Sequence, residues 1–227
     1  MFDRFERMIG SINLNKIKEK NILVVGLGGV GGHAVLGLIR SGISNITLVD
    51  YDIVDITNLN RQAVAKRSTI GMKKTEALKD IILDINPECN TKIIDMFLDE
   101  ENTSQLITED YDYVIDACDT VITKKAIIKT CLNKKIKFIS SMGTGNKLDP
   151  TKLEVIDIRK TNYDPLAKIM RKWVREENIK EKIPVLSSTE IPQKIEGVIS
   201  SNSFVPGSAG LLIASWVIND IIDLTNK

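Results

Sequence analysis

The chain has 227 residues, 43% of them hydrophobic, which is enough to bury the core of one large α/β domain with a smaller appendage. Its formal net charge of +1 excludes a uniformly basic coat that would bind nucleic acid through charge alone. Three cysteines without a C-x-x-C pair, and no apolar signal at the N-terminus, favour a reducing compartment, the cytoplasm, and argue against a structural zinc.

The first strand of the chain runs into a glycine-rich turn. Residues 1–20 alternate charged and hydrophobic side chains at helical spacing, and we expect one or two short helices there. Residues 22–25 are apolar and mostly β-branched, as in a buried parallel strand, and Gly26, Gly28 and Gly31 follow with G-x-G-x-x-G spacing. This pattern permits a tight turn, a close approach to an anion and close packing of the next helix. It predicts a phosphate-binding turn, and a glycine-rich turn without a ligand is the alternative.

The second predicted strand, residues 45–50, ends in an acid. Asp50 lies nineteen residues after Gly31, and an acid at this distance can hold ribose hydroxyls. The polar loop that follows, residues 51–62, lies where doubly wound folds bind their ligands, at the carboxyl edge of the sheet. Together with the glycine turn, Asp50 predicts a nucleotide site.

A lysine stands in the first turn of the next predicted helix, residues 71–85. The helix dipole disfavours a cation at that end, so an anionic ligand would explain the position of Lys74. An ordinary surface lysine is the alternative.

Three further strands are predicted at residues 90–95, 111–116 and 136–140, each separated from the next by a helical pattern. This alternation predicts an α/β fold, a doubly wound, mainly parallel, Rossmann-like sheet with a C-terminal extension. We expect a helical segment at 1–20, a nucleotide-binding part at 21–150, and a part at 151–227 that completes the sheet and the substrate face. Asp119 would lie on the same sheet edge as Asp50, as a magnesium ligand or as a charge that orients a cationic group. The neighbouring Cys118 is expected to be a buried apolar side chain rather than a nucleophile.

The C-terminal part contains two predicted helices. The first, after Asp164 and Pro165, carries an apolar stripe that includes Ile169, and a second face that we call the basic ridge, formed by Lys168, Arg171, Lys172 and Arg175. Residues 159–182 hold eight basic and four acidic side chains, so the ridge is either a solvated face or a surface for the phosphates of a nucleic-acid backbone. The second helix, within residues 204–224, is apolar but contains Asn219 and Asp220, which favours a core helix over a membrane span.

Five motifs occur in an order that resembles the ThiF/MoeB-type adenylating superfamily, which is related to the ubiquitin-activating enzymes. They are Gly26-x-Gly28-Gly29-x-Gly31, Asp50-x-Asp52, Asn58-x-x-Arg61-Gln62, Gly71-x-x-Lys74 and Asp116-x-x-Asp119. The second half is similar to the tRNA threonylcarbamoyladenosine dehydratases of that superfamily. The similarity rests on Arg4-Phe5-x-Arg7, residues 144–150, Lys160-Thr161 with Asp164-Pro165-Leu166-Ala167, Ser188-Thr189-Glu190, and Phe204-Val205-Pro206 with Ala209-Gly210.

The resemblance implies a role for each of these positions. ATP would be bound by Gly26, Gly28, Gly29, Gly31, Asp50, Asp52 and Asn58. Its triphosphate would be held by Arg61 and Lys74, Asp119 would coordinate magnesium, and Arg7 would reach the phosphates across a homodimer interface. It also implies a cysteine desulfurase or sulfur-acceptor system as a partner of some members. Some members have a cysteine just before the Ser188-Thr189-Glu190 segment, and this chain has none there, so a covalent role for such a cysteine is in doubt.

The function implied is ATP-dependent cyclisation of threonylcarbamoyladenosine beside a tRNA anticodon, with loss of water, through adenylation of its carboxylate. The first alternative is adenylation of the C-terminal glycine of a sulfur-carrier protein, although those relatives generally carry two C-x-x-C zinc pairs and this chain has no cysteine after Cys131. An NAD-dependent oxidoreductase would use the glycine turn but leaves Arg61 and Lys74 without a role. A non-catalytic nucleotide-binding module is the alternative of another class.

Overall fold

The protein is described by a computed structural model that covers residues 1–197 and 199–224. It contains a seven-stranded sheet with helices on both faces, in the strand order β3-β2-β1-β4-β5-β7-β6. The strands are β1 (Asn21–Val25), β2 (Asn45–Asp50), β3 (Asn90–Asp95), β4 (Tyr113–Asp116), β5 (Lys137–Ser141), β6 (Leu153–Asp157) and β7 (Pro184–Ser188). The helices are α1 (Asp3–Ile9), α2 (Ser11–Lys18), α3 (Gly31–Arg40), α4 (Lys74–Ile85), α5 (Glu100–Leu106), α6 (Val121–Lys134), α7 (Pro165–Glu176) and α8 (Phe204–Ile221).

All neighbouring strands pair in parallel except β6 and β7. The predicted doubly wound, mainly parallel α/β fold is confirmed. Strands β6 and β7 extend the same sheet beyond β5, and β6 runs antiparallel at its edge. The division of the chain at residues 20 and 150 stays a prediction.

Two hydrophobic clusters pack on the two faces of the sheet. Helices α2, α3, α4 and α8 contribute to one, and α6 and α7 contribute to the other. Because helices cover the strands on both faces, the sequence of β1 is almost entirely apolar and does not alternate between apolar and polar residues.

Helix α8 packs tightly on α3. A Cβ atom on Gly37 would lie 2.7 Å from Ala214 Cβ, and one on Gly210 would lie 2.3 Å from the Val30 carbonyl oxygen. By length and composition α8 could cross a membrane, but 56% of it is buried inside the protein. The structure thus confirms the prediction of a core helix.

The apolar stripe predicted for α7 is wrong at one position. Met170, Trp173 and Val174 are buried as expected, whereas Ile169 is 49% exposed. Helical periodicity locates an apolar face, but the width of that face depends on which neighbours cover it, and the local sequence does not contain that information.

Candidate active site

A cavity of about 620 Å³ opens at the carboxyl ends of the parallel strands. Its wall includes the ends of β1, β2 and β5 and the residues that follow β4. In a doubly wound sheet, crossovers in opposite directions leave a crevice at this edge, and ligands bind there. Nine of the residues predicted for the nucleotide site line the cavity: Gly26, Gly28, Gly29, Asp50, Asp52, Asn58, Arg61, Lys74 and Asp119.

The glycine turn connects β1 to α3, and its shape depends on missing side chains. Gly26 has φ +86°, and a Cβ there would lie 2.7 Å from the Cys118 nitrogen. A Cβ on Gly31 would lie 1.8 Å from the Gly26 carbonyl oxygen, so α3 can begin there only without a side chain. At Gly28 the nearest atom to a Cβ would be Gln62 Nε2 at 3.8 Å, so this part of the turn faces open space. Gly31 therefore allows α3 to begin close against the turn, while Gly28 leaves room for a ligand.

Asp50, at the end of β2, holds the turn in place. Its Oδ2 accepts a hydrogen bond from the Leu27 N–H at 2.6 Å, and its Oδ1 accepts one from the Asp52 N–H at 2.8 Å. Burial raises the pKa of Asp50, although these two hydrogen bonds and the charge of Lys74 oppose the shift. Each carboxylate oxygen keeps a second lone pair, which is available to a ribose hydroxyl.

Lys74 lies in the first turn of α4, as predicted, although the helix begins at Lys74 rather than at residue 71, and its side chain is 7% exposed. Its Nζ lies 2.7 Å from Asp52 Oδ2, and the Asp52 side chain is 47% exposed. A buried ammonium requires such a partner, yet two of its N–H groups remain for a further acceptor. Lys74 thus presents a positive charge to the cavity at the N-terminus of a helix, where the backbone also favours an anion.

The segment after β2 supplies Asn58, Arg61 and Gln62. Asn58 is buried and its Oδ1 accepts from the Asp55 N–H at 3.0 Å, which fixes the 3₁₀ helix Ile56–Asn58. Arg61 lines the cavity, and among the described residues its guanidinium donates, through Nη1, to the Thr57 carbonyl and to Asn60 Oδ1, so Nε and Nη2 keep donors for a ligand. Gln62 is 8% exposed, and its Oε1 has no hydrogen-bond partner in the described chain. The sequence motif Asn58-x-x-Arg61-Gln62 includes Gln62 but gave it no role in the site, although its place beside Arg61 points to one.

A buried ion pair lies directly below the cavity. Lys124 Nζ lies 3.0 Å from Asp116 Oδ2 and 2.7 Å from the Ser141 carbonyl oxygen, and both side chains are fully buried. Ser140 Oγ also donates to Asp116 Oδ2 at 2.5 Å. The pair ties the end of β4 to the end of β5. The sequence does not predict this role for Lys124, because a lysine in a helical pattern is normally exposed.

The Cys118 thiol lines the cavity but is not activated. It donates to Asp116 Oδ1 at 2.9 Å, and burial together with the charge of Asp116 raises its pKa well above the usual range. A thiol held in the protonated form is a poor nucleophile. This agrees with the expectation that Cys118 is not a catalytic nucleophile, although it is half-buried rather than part of the core.

Asp119 lies exposed at the rim, where Thr120 Oγ1 approaches it at 3.4 Å. In the part of the chain that the structure describes, no three His, Cys, Asp or Glu side chains gather as a metal cluster. A single free carboxylate suits magnesium, which commonly binds one or two carboxylates and completes its shell with phosphates and water. One carboxylate alone would not hold a metal ion in the absence of a substrate.

The structure places Arg7 and the basic ridge outside this cavity. Arg7 lies on α1, exposed, with its guanidinium 3.0 Å from Asp3 Oδ2. On α7, Lys168, Lys172 and Arg175 are exposed, while Arg171 is partly buried and donates to the Thr161 carbonyl at 2.8 Å. The N-terminal end of α7, with Asp164, Pro165 and Leu166, does line the cavity. The ridge therefore begins at the cavity and leads away from it.

The chain is similar to known proteins in both sequence and structure. The model of the ThiF family matches residues 3–223. The tRNA threonylcarbamoyladenosine dehydratase of Bacillus subtilis is 42% identical, over 97% of this chain and 94% of its own length. The crystal structure of the E. coli tRNA N6-threonylcarbamoyladenosine dehydratase in complex with ATP superimposes with a TM-score of 0.93 at 34% identity, covering 99% of this chain and 95% of that one. An adenylyltransferase and sulfurtransferase from Candida glabrata is 35% identical over 61% of this chain but only 32% of its own length.

Proposed function

Because this chain belongs to the ThiF family and, within it, to the tRNA threonylcarbamoyladenosine dehydratases, we propose that it uses ATP to cyclise threonylcarbamoyladenosine in tRNA. The observation that carries this function is the near full-length match to those dehydratases, one of them solved with ATP. The cavity provides what that activity needs, namely a glycine turn, an acid for the ribose and two cations. The enzyme is ATP-dependent and forms an adenylate.

The reaction begins with a carboxylate, which is a poor electrophile because its charge repels nucleophiles and oxide is a poor leaving group. An oxygen of the threonyl carboxylate attacks the α-phosphorus of ATP, and the bond to pyrophosphate breaks. An atom of the same modification then attacks the resulting mixed anhydride, a ring closes and AMP leaves with the carboxylate oxygen. The net change in the nucleoside is the loss of one water.

Charge neutralisation is the main demand on the protein in the first step. Negative charge grows on the leaving pyrophosphate, and the donors of Arg61 and Lys74 face the cavity in which it would form. Asp119 would hold magnesium, which supplies further positive charge to the phosphates when bound. Asp50 and the open face at Gly28 would fix the nucleoside and the α-phosphate, so that the carboxylate meets phosphorus in line.

We further propose that Arg7 serves the site of a second subunit. In its own chain Arg7 lies away from the cavity, and its ion pair with Asp3 is exposed on both sides and therefore weak. Met8 and Ile12, each 75% exposed, lie in the same helical segment and offer apolar surface that a second subunit could cover. A homodimer that buries these residues would bring Arg7 to a new acceptor, such as a phosphate.

The tRNA is proposed to lie along the basic ridge, which runs from the cavity over α7. The ridge has no role in holding ATP, because it lies outside the nucleotide cavity, and its exposed cations can neutralise phosphates. The cytoplasmic location and a sulfur-acceptor partner rest on the family resemblance.

Adenylation of a sulfur-carrier protein is the second candidate, supported by similar proteins that are named adenylyltransferases. Those relatives match only 52–61% of this chain, whereas the Bacillus subtilis dehydratase matches 97% of it. The test is to incubate the protein with ATP and total tRNA and to analyse the nucleosides by mass. We expect threonylcarbamoyladenosine to decrease and a product lighter by one water to appear, with AMP and pyrophosphate formed. ATP-dependent adenylation of a carrier glycine without any change in tRNA would favour the second candidate.

A further inference from the structure

Tyr163, which precedes α7, has an unusual backbone and an exposed ring. Its φ is +58°, and the Asp164 N–H donates to the Asn162 carbonyl at 2.7 Å, so that Tyr163 is the central residue of a three-residue turn. Few non-glycine residues adopt this conformation, and aromatic ones rarely do. Tyr163 is 60% exposed, so burial of the ring does not offset the strain.

The next residue holds this turn rigidly. Asp164 is 2% exposed, its Oδ1 accepts from the Ala167 N–H at 2.7 Å, and its Oδ2 lies 2.9 Å from Lys147 Nζ. Lys147 is itself buried and also donates to the Gly143 carbonyl at 2.6 Å. The ring of Tyr163 is therefore attached to one of the most firmly anchored points at this end of the sheet.

Tyr163 lies next to the mouth of the active-site cavity: it is not itself a lining residue, but the three residues that follow it line the cavity. The N-terminal end of α6 lines it too, and α6 lies against α7, where Lys125 Nζ is 5.9 Å from the centre of the Trp173 ring. One turn nearer the mouth, Ile122 on α6 is 63% exposed and Ile169 on α7 is 49% exposed. Apolar and aromatic side chains are thus presented to solvent beside the cavity.

The surroundings of Tyr163 are cationic. Lys160 and Lys168 are exposed on either side of it in the sequence, and the basic ridge continues from Lys168. Between residues 158 and 175 the sequence contains a single acid, Asp164, which is buried and paired with Lys147. An exposed aromatic ring framed by cations is complementary to RNA, whose bases stack on aromatic faces while its phosphates bind lysine and arginine.

We propose that Tyr163 is a stacking platform for a nucleobase adjacent to the modified adenosine, and that it holds the splayed RNA loop while that adenosine enters the cavity. The proposal rests on the proposed function, since it takes an RNA loop as the substrate. Tyr163 is thus a residue that positions the RNA substrate, and it takes no part in the reaction with ATP.

The test uses the full-length protein and an anticodon stem-loop RNA that carries the substrate adenosine, with the fluorescent base 2-aminopurine on its 5′ or 3′ side. Stacking on an aromatic ring quenches this base, so we expect quenching at one of the two positions with the wild type and with Tyr163→Phe. Tyr163→Asn removes the ring but tolerates positive φ, so its effect cannot be attributed to backbone strain. We expect this variant to lose the quenching and to bind the RNA about 5- to 30-fold more weakly.

Two further measurements separate stacking from charge and from folding. The slope of log affinity against log salt should be the same for Tyr163→Asn and the wild type, since no phosphate contact is lost. The ATP affinity should also be unchanged, because Tyr163 is not among the residues that line the nucleotide cavity. Equal quenching and equal RNA affinity in the wild type and Tyr163→Asn would overturn the proposal. Wild-type protein that binds the RNA but does not dehydrate it would instead refute the proposed function, and a wild type that does not bind the RNA would refute both.

Discussion

Replacing Lys74 by methionine removes a charge from the site while nearly keeping the shape of the side chain. Lys74 Nζ is 2.7 Å from Asp52 Oδ2, but the Asp52 side chain is 47% exposed and stays solvated when its partner is lost. Loss of such a partly exposed pair costs about 1 kcal/mol of folding free energy or less. Under the proposed function, the same charge would face the phosphates of ATP in the cavity that Lys74 lines. Removing one such donor typically costs about 10²-fold or more in turnover, or about 2.7 kcal/mol of transition-state stabilisation.

The assay is pyrophosphate release with ATP and tRNA, together with the thermal unfolding of each variant. We expect Lys74→Met to lose at least about 10²-fold in kcat/KM while its free energy of unfolding changes by about 1 kcal/mol or less. Lys73→Met is the matched control, because Lys73 is the preceding residue, is 41% exposed, pairs with Asp95 at 3.5 Å and does not line the cavity. Wild-type activity in Lys74→Met, or an equal loss in Lys73→Met, would refute the assignment of Lys74 to the phosphates.

Three further predictions follow from the same geometry. Gly31→Ala should lower the free energy of unfolding by about 1–3 kcal/mol, since its Cβ would lie 1.8 Å from a carbonyl oxygen, whereas Gly28→Ala should fold normally and bind ATP more weakly in calorimetry. If Arg7 acts across a dimer, mixing inactive Arg7→Ala and Asp119→Ala proteins should restore part of the activity once subunits exchange, and no recovery despite exchange would argue against it. Alanine at the three exposed cations of the basic ridge should reduce the salt slope of tRNA binding by about 0.7–0.9 for each lost phosphate contact, with unchanged ATP affinity. Unaltered tRNA binding would show that the ridge is only a solvated face.

Much of the fold and of the nucleotide site could be predicted because the signals are local. Strand β1, the glycine turn and the start of α3 are consecutive in sequence, and Asp50 follows at the spacing that one strand-helix-strand unit imposes. Parallel strands then bring the residues after their carboxyl ends to one edge. The cavity therefore contains nearly all the ATP residues that were named from the sequence.

What could not be predicted depends on contacts between distant segments. In the sequence, Lys124 and Lys147 look like ordinary surface lysines. Both are buried, because the carboxylates of Asp116 and Asp164 form ion pairs with them. Strand β7 was not predicted either, because Pro184 begins a short run whose strand partners, β5 and β6, lie elsewhere in the chain. Burial of a charge and pairing at a sheet edge are decided by partners that local periodicity does not reveal.

The central claim is that the enzyme adenylates its substrate: a carboxylate oxygen attacks the α-phosphorus of ATP, and pyrophosphate leaves. An isotope label tests it most directly: tRNA whose threonylcarbamoyladenosine carries ¹⁸O in the carboxylate is incubated with the protein and ATP, and the products are analysed by mass. Attack at the α-phosphorus followed by ring closure must leave one labelled oxygen in the phosphate of AMP. Label in inorganic phosphate would show that the γ-phosphoryl group activates the substrate, and label released only as water would show that no phosphoryl intermediate forms. Either result would contradict adenylation.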